Sequence, residues 1–483
     1  MRRGRPLRNC VYWEVEKYMK NFMKRLVFVL AVTLSVVGLK QSVFAENLIT
    51  VDETTFPDKE LREAVLDAWD DVKPYDDEED YDDEEDYDDE EDTESNNEDE
   101  ESNQIDADLI KSIGVYGYGD SEIVTNLKGI ELLTKLESLS ITNYSGGKFD
   151  LSKNTNLNSV NISSNKYTLS PNDFVCLPKL TSLDLGGKVV STIEPSKLKN
   201  LKSLWILCKQ GVKKVDVSKS SKLESLTLCC SNLTSVNLGK SSKLTWVYIE
   251  GAKKLTSVNV SKLTNLTYLT VRDCNISKID VSKNKKLLTL KINGNKKIKS
   301  VNLKNNPNIS SINIGYTGIT KLDTSKMKKL ESLEVYNTKL SGLNLKKNTK
   351  LHSIDVSNSS IKKLDITSNK KATRVNIAGS KIKSLNLKNQ KDLYGLTYSY
   401  GQKITYPSKI NRDYSWIDIE GVKKGSSIAV PAFCKGYKFS ADKEYSLKYK
   451  NNKIITSKKT KKKYAYGNFT KGDKTISISI KYK

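Results

Sequence analysis

Leu266-Thr-Tyr-Leu-Thr-Val-Arg-Asp-Cys-Asn-Ile-Ser-Lys-Ile-Asp-Val-Ser-Lys-Asn284 is the stretch whose reading decides the fold. Its apolar residues alternate at Leu269 and Val271 and again at Ile279 and Val281, which describes two short strands with room between them only for turns. The pattern then restarts. Its first residue recurs at Leu136, Leu157, Leu180, Leu201, Leu223, Leu244, Leu266, Leu287, Ile309, Leu330, Leu351, Ala372 and Leu393, with steps of 21 to 23 residues. A fixed period of that length predicts a solenoid, in which each unit buries its apolar side only against its neighbours. One strand per unit stacks in parallel along a concave face, and the thirteen units at ~4.8 Å spacing make an arc of roughly 60 Å.

Outward from the repeats, charge divides the chain. The net charge of +22 combines a segment from Glu46 to Ile110 with 31 acids and 3 bases and a body from Lys111 onward that carries +43. Lys24 and Arg25 precede an apolar run from Leu26 to Leu39, and Val43-Phe44-Ala45 follows as a cleavage pattern. Residues 1–45 therefore read as a signal peptide, because the run is shorter than the ~20 residues of a spanning helix. A start at Met19 or Met23 would explain the long basic stretch before it. The alternative is an uncleaved signal anchor that leaves the repeats outside. Either reading expects a secreted or cell-surface protein, and no sorting motif or apolar span is visible near the C-terminus.

Residues 46–74 contain a helix signal, with Asp58 at its start and Leu61, Ala64, Val65 and Trp69 at helical spacing. Residues 75–104 are an acidic tract in which Tyr75-Asp-Asp-Glu-Glu-Asp80 recurs from Tyr81 and from Tyr87. Carboxylates at that density predict disorder; they also allow weak Ca2+ binding, or association with the basic body. Residues 105–135 join this part to the repeats, with a second helical piece expected over Asp106 to Ile113. The repeats occupy 136–401, and 402–483 reads as a Lys-rich, β-rich C-terminal domain or cap.

Candidate sites stand out against the regularity. Positions three, five, seven and eight of each unit face outward on the concave side and mostly hold Ser, Thr, Asn or Gly. The exceptions are Trp205, Trp246, Tyr248, Glu250, Tyr268, Arg272 and Asp273, with Tyr316 and Tyr336 further along. Trp, Tyr and Arg dominate binding hot spots because each brings a large area with a polar handle. Against this, rings on one ladder also pack on each other.

A column of Asp150, Asp216, Asn237, Asn259, Asp280, Asn302, Asp323, Asn344, Asp365 and Asn386 admits a cation ladder, but Asx turns are the preferred reading. Cys208 and Cys230 share position eight in adjacent units, ~5 Å apart at Cα, which is within disulfide range. Stacked free thiols are preferred there. The six cysteines after residue 45 show no zinc-type spacing. The one histidine, His352, has no nucleophile set around it, so neither catalysis nor a cofactor is expected.

The unit L-x-x-L-x-[LIV]-x-x-x-x-[LI]-x-x-[LIV]-[ND]-[LV]-S-K-N resembles that of bacterial secreted leucine-rich repeat proteins, the broad group that includes internalins, in a short 21-residue variety. Phe56-Pro-Asp-Lys-Glu-Leu-Arg62 resembles the start of the N-terminal cap of these proteins, and Leu127-Lys-Gly-Ile-Glu131 with Leu136-Glu-Ser-Leu139 resembles its junction with the first repeat. Such caps commonly hold a short aspartate-rich loop, whereas here the acidic hexads stand in its place without a D-x-[DN]-x-[DN]-G match. The expected fold is a leucine-rich repeat solenoid, a β-rich and helix-poor member of the right-handed β/α superhelix class, with a small helical N-cap and a C-terminal β-rich cap or domain. In this repeat class position nine takes Asn or Cys, so Cys274 is expected to be a buried ladder residue.

The resemblance implies a surface or secreted binding protein, and the chain is expected to be a monomer without enzymatic activity. Its partner would be a protein or glycan of a host or bacterial surface, met on the concave face. The competing reading is an envelope-associated spacer retained by lysines on anionic polymers, with no specific nucleic-acid recognition.

Overall fold

The computed structural model describes residues 47–73, 104–116 and 123–483. The signal segment and the acidic hexads lie outside the described residues. The cap begins with the strand Leu48–Thr50, which pairs antiparallel with Gln104–Asp106. The helix Lys59–Asp70 has Asp58 as its N-cap and buries Leu61, Ala64 and Val65, as the spacing predicts. One Asp58 carboxylate oxygen accepts from Leu61 N at 3.0 Å. The other accepts from Thr125 N at 2.7 Å and from the Thr125 hydroxyl at 2.8 Å, which ties the helix start to the repeats. Gly129 closes the joint with φ +98°, and an added Cβ would lie 2.5 Å from the Phe56 ring.

The second helical piece is absent. Asp106 to Ile113 is instead the end of the strand Gln104–Asp106, a turn, and the start of the strand Ser112–Val115. Ile113 and Val115 alternate inward and pair in parallel with Leu139 and Ile141, so this segment is the first rung of the solenoid. Two-residue alternation with β-branched side chains outweighs a short helical reading here.

From Ser112–Val115 the parallel inner sheet runs without interruption through one strand per unit to Gly395–Ser399. A second, outer set of short strands forms where expected in only some units: Thr192–Ile193, Lys214–Asp216 and Ser235–Asn237, and again Ser384–Asn386 with Lys403–Thr405. The leucines of the unit are inside throughout, as Leu266, Leu269, Val271, Ile276 and Val281 illustrate. Burying each such side chain contributes about 1.5–3 kcal/mol, drawn almost wholly from contacts with adjacent units.

The repeats are expected to end at Gly401, but the sheet continues, and its next strand keeps the 21-residue step. Tyr414–Val422 pairs in parallel with Gly395–Ser399, and Lys474–Tyr482 pairs in parallel with Tyr414–Val422. Antiparallel Tyr464–Lys471 and Lys438–Ser440 then finish the sheet. Among the described residues no pairing joins the last strand to the first, so the sheet is open. Residues 402–483 thus cap the solenoid by extending its concave face.

Turns are standardised along the stack. Each of the ten Asx residues of the column accepts from the backbone N–H two residues on, from Ser152 N to Asp150 (2.9 Å) through Lys388 N to Asn386 (3.1 Å). The column is an Asx-turn ladder. Four residues after the Asx, a buried amide spans to the preceding turn: Asn284 Nδ2 donates to Val260 O and Leu263 O at 2.9 and 2.7 Å, and Asn348, Asn369 and Gln390 repeat the arrangement.

The concave aromatic and acidic surface

Register decides which side chains meet on the concave face. Position three aligns Ser203, Ser225, Trp246, Tyr268 and Thr289, so Trp246 and Tyr268 are direct neighbours. Their rings stack with centroids 3.5 Å apart and planes 2° from parallel. Position five aligns Asn161, Asp184, Trp205, Thr227, Tyr248, Thr270 and Lys291. Trp205 and Trp246 are two strands apart, as expected, but in different rows, with Ser225 and Thr227 on the strand between them.

Tyr248, Glu250 and Arg272 form a network that leaves Arg272 Nε buried without a partner. The buried Tyr248 hydroxyl donates to Glu250, and Arg272 Nη2 donates to Glu250 Oε1 at 2.6 Å. The Arg272 guanidinium also lies 5.8 Å from the Tyr248 ring centroid. Burial pushes the Tyr248 phenol well above its usual range, so it stays a donor at any physiological pH. These three residues hold each other rigid and offer a ligand only their edges.

Asp273 and Tyr316 sit differently from the rest. Position eight of seven consecutive units, Gly251, Asp273, Gly294, Tyr316, Asn337, Asn358 and Gly379, has positive φ between 49° and 78°. This column ends each strand. Its conformation suits Gly and Asn, so Tyr316 is the misfit, held there 50% exposed. Its ring meets the Tyr336 ring edge-on at 5.4 Å, and Tyr336 covers Gly315, where a Cβ would lie 2.4 Å from that ring.

The register brings Cys208 and Cys230 together, as their shared position implies. Cys208 and Cys230 are buried and in register, with the Cys208 Sγ donating to the Cys230 Sγ at 3.0 Å. Cys274 is buried at position nine, where Asn295, Thr317, Thr338 and Ser359 continue the column with side chains bonded to backbone carbonyls. Cys229 faces the patch, and burial pushes its thiol up to about 12, so it is inert at neutral pH.

Sequence reasoning missed the carboxylates of the position-five row. Beyond Lys291 that row continues through Asn313, Glu334, Asp355, Asn376, Thr397 and Asp418. Desolvation raises the carboxyls of Asp184, Asp355 and Asp418, Asp184 to about 7. The signal was present: acids at position five in a chain whose turn positions are lysine-rich. Among the described residues no group of three or more metal-ligating side chains comes together.

Comparison with solved structures follows this geometry. The chain is similar to the functional domain of InlJ from Listeria monocytogenes, described as including a cysteine ladder, with TM-score 0.50 and 18% identity over 90% of this chain and 99% of that one. The fold is a leucine-rich repeat solenoid. An internalin, InlF, also from Listeria monocytogenes, matches with TM-score 0.42 and 18% identity over 72% of this chain and 86% of its own. A leucine-rich repeat protein from Leptospira interrogans matches with TM-score 0.37 and 16% identity over 57% and 86%. No family model and no curated protein matches the chain. Among the described residues of this repeat protein, no helix is long and apolar enough to cross a membrane.

Proposed function

We propose that this chain is an exported, non-enzymatic leucine-rich repeat protein that binds a macromolecule, a protein in first place, through its concave face. The observation that carries this reading is the interruption of a largely Ser/Thr/Asn surface by the Trp246–Tyr268 stack and the Tyr248–Glu250–Arg272 network, with Trp205 two strands away in the Tyr248 row. Rigid rings beside an ion pair already in place, Arg272 on Glu250, lose little entropy on docking, which is the character of hot spots. Tyr316 supports it from the far side, since an exposed ring held at unfavourable φ costs stability without improving the core. Trp205→Ala and Trp246→Ala together should abolish retention of the partner in ~0.5 M salt, where surface electrostatics are screened, while the variant still folds cooperatively. Retention by that variant would sink the reading.

One observation favours a second reading, envelope association through anionic polymers. Lys197, Lys219, Lys240, Lys262 and Lys283 occupy the same turn position in five successive units and are all exposed. Such a row attracts polyanions at low ionic strength. Release from envelope preparations by salt alone, indifferent to both Trp changes, would favour it.

A further inference from the structure

Asp184 lies on the strand Ser182–Val189 between Asn161 and Trp205 in the position-five row. Among the described residues nothing compensates its charge. No hydrogen bond or ion pair reaches it, and the Asn161 amide donates away from it, to the Ser140 hydroxyl at 3.1 Å. The flanking strands face it with Ser159, Asn161, Ser163, Ser203, Trp205 and Leu207, none of which titrates in the physiological range. The residue keeps partial exposure, yet protein crowds its carboxyl enough to move it to about 7. Its neighbour Trp205 is unsatisfied as well, because its indole N–H is buried without an acceptor. The indole N–H is a donor and calls for an acceptor, whereas the unpaired Asp184 carboxylate is an acceptor that calls for a cation, with the Trp205 ring rather than its N–H beside it.

The row also indicates the sign of the partner. It presents Asp184, Glu334, Asp355 and Asp418 against one lysine, Lys291, although the whole chain carries +22. We infer that Asp184 and Trp205 form a cation-receiving subsite at the N-terminal part of the concave face, built for a lysine or arginine side chain of a protein partner. The carboxylate would pair with the ammonium or guanidinium, and the indole face would add cation–π attraction in a partly dry setting. The inference rests on the concave-face reading and narrows it to a partner with a basic anchor residue.

The test uses the full chain with its tryptophans 15N-labelled. The five indole N–H signals are followed by NMR, with that of Trp205 assigned from Trp205→Phe. The probes are N-acetyl-arginine methylamide and N-acetyl-lysine methylamide, single cations whose arms separate guanidinium from ammonium. A saturable shift of the Trp205 signal is expected at pH 8, about thirtyfold weaker in affinity at pH 5.5, where Asp184 is protonated, and absent in Asp184→Asn. The acidic tract contributes equally to both proteins and cancels in the comparison. Equal shifts in Asp184→Asn, or no shift with either probe, would overturn the inference. The two readings fail separately. A surface partner lost from the Trp246→Ala variant but retained by Asp184→Asn leaves the concave face standing and removes the cation subsite.

Discussion

At the residue scale, the sharpest consequence concerns Asp184. Its folded-state carboxyl is raised to about 7 from an ordinary value of 3.8, so the folded protein holds a proton that the unfolded chain releases. Stability from this group is present below the unfolded value and is lost as pH rises through the folded one. Asp184→Asn should therefore leave the transition almost unchanged at pH 4 and raise stability at pH 8, by up to about 3 kcal/mol, read by denaturant titration at both pH values. A variant equally stable at pH 8 would show that the carboxyl is solvated. Tyr316 makes a parallel case: Tyr316→Asn should gain about 0.5–1 kcal/mol by relieving a left-handed φ of 53°. Much of this scale was hidden in the sequence. The spacing placed Asp273 and Tyr316 on the concave face, but position eight is a turn whose sign of φ depends on how the strand ends. The Trp246–Tyr268 neighbourhood was legible because a 22-residue step preserves register. The isolation of Asp184 was not, since it depends on Asn161 turning its amide toward Ser140.

At the scale of the element, the repeat is held by polar ladders as much as by leucine. Each ladder amide, such as Asn284 or Asn348, is fully buried and joins its own turn to the one before. Replacing Asn348 by Leu would leave Thr324 O and Met327 O without that donor inside the stack, at a cost of about 2–3 kcal/mol; urea titration is the check. A surface change such as Lys347→Ala should cost under about 0.5 kcal/mol in the same assay. The S-K-N motif announced this turn plainly. The Asx turns were legible as well; what the motif did not announce was that the Asn four residues on reaches across units, since both jobs use the same residue type. The misread segment from Asp106 to Ile113 has a similar cause: Ile105, Ile110 and Ile113 fit either period until pairing with Ser138–Tyr144 selects the strand.

For the whole molecule, the solenoid separates two surfaces. Lysines crowd the turns, whereas the concave rows hold rings, small polar groups and half-buried acids. The continuation of the inner sheet through Tyr414–Val422 and Lys474–Tyr482 lengthens the concave face beyond the repeats. Tyr414–Val422 in fact keeps the 21-residue step, and was hidden because Tyr414 stands where a leucine opens most units, whereas Lys474–Tyr482 arrives from outside that spacing. The most direct test of the concave-face account compares the immobilised full chain with its Trp205→Ala/Trp246→Ala variant, both exposed to host and bacterial surface extracts in ~0.5 M salt. The account predicts a component held by the parent chain and lost from the variant, with both proteins folding cooperatively. The same component held equally by both, or stripped from both by salt alone, would contradict it.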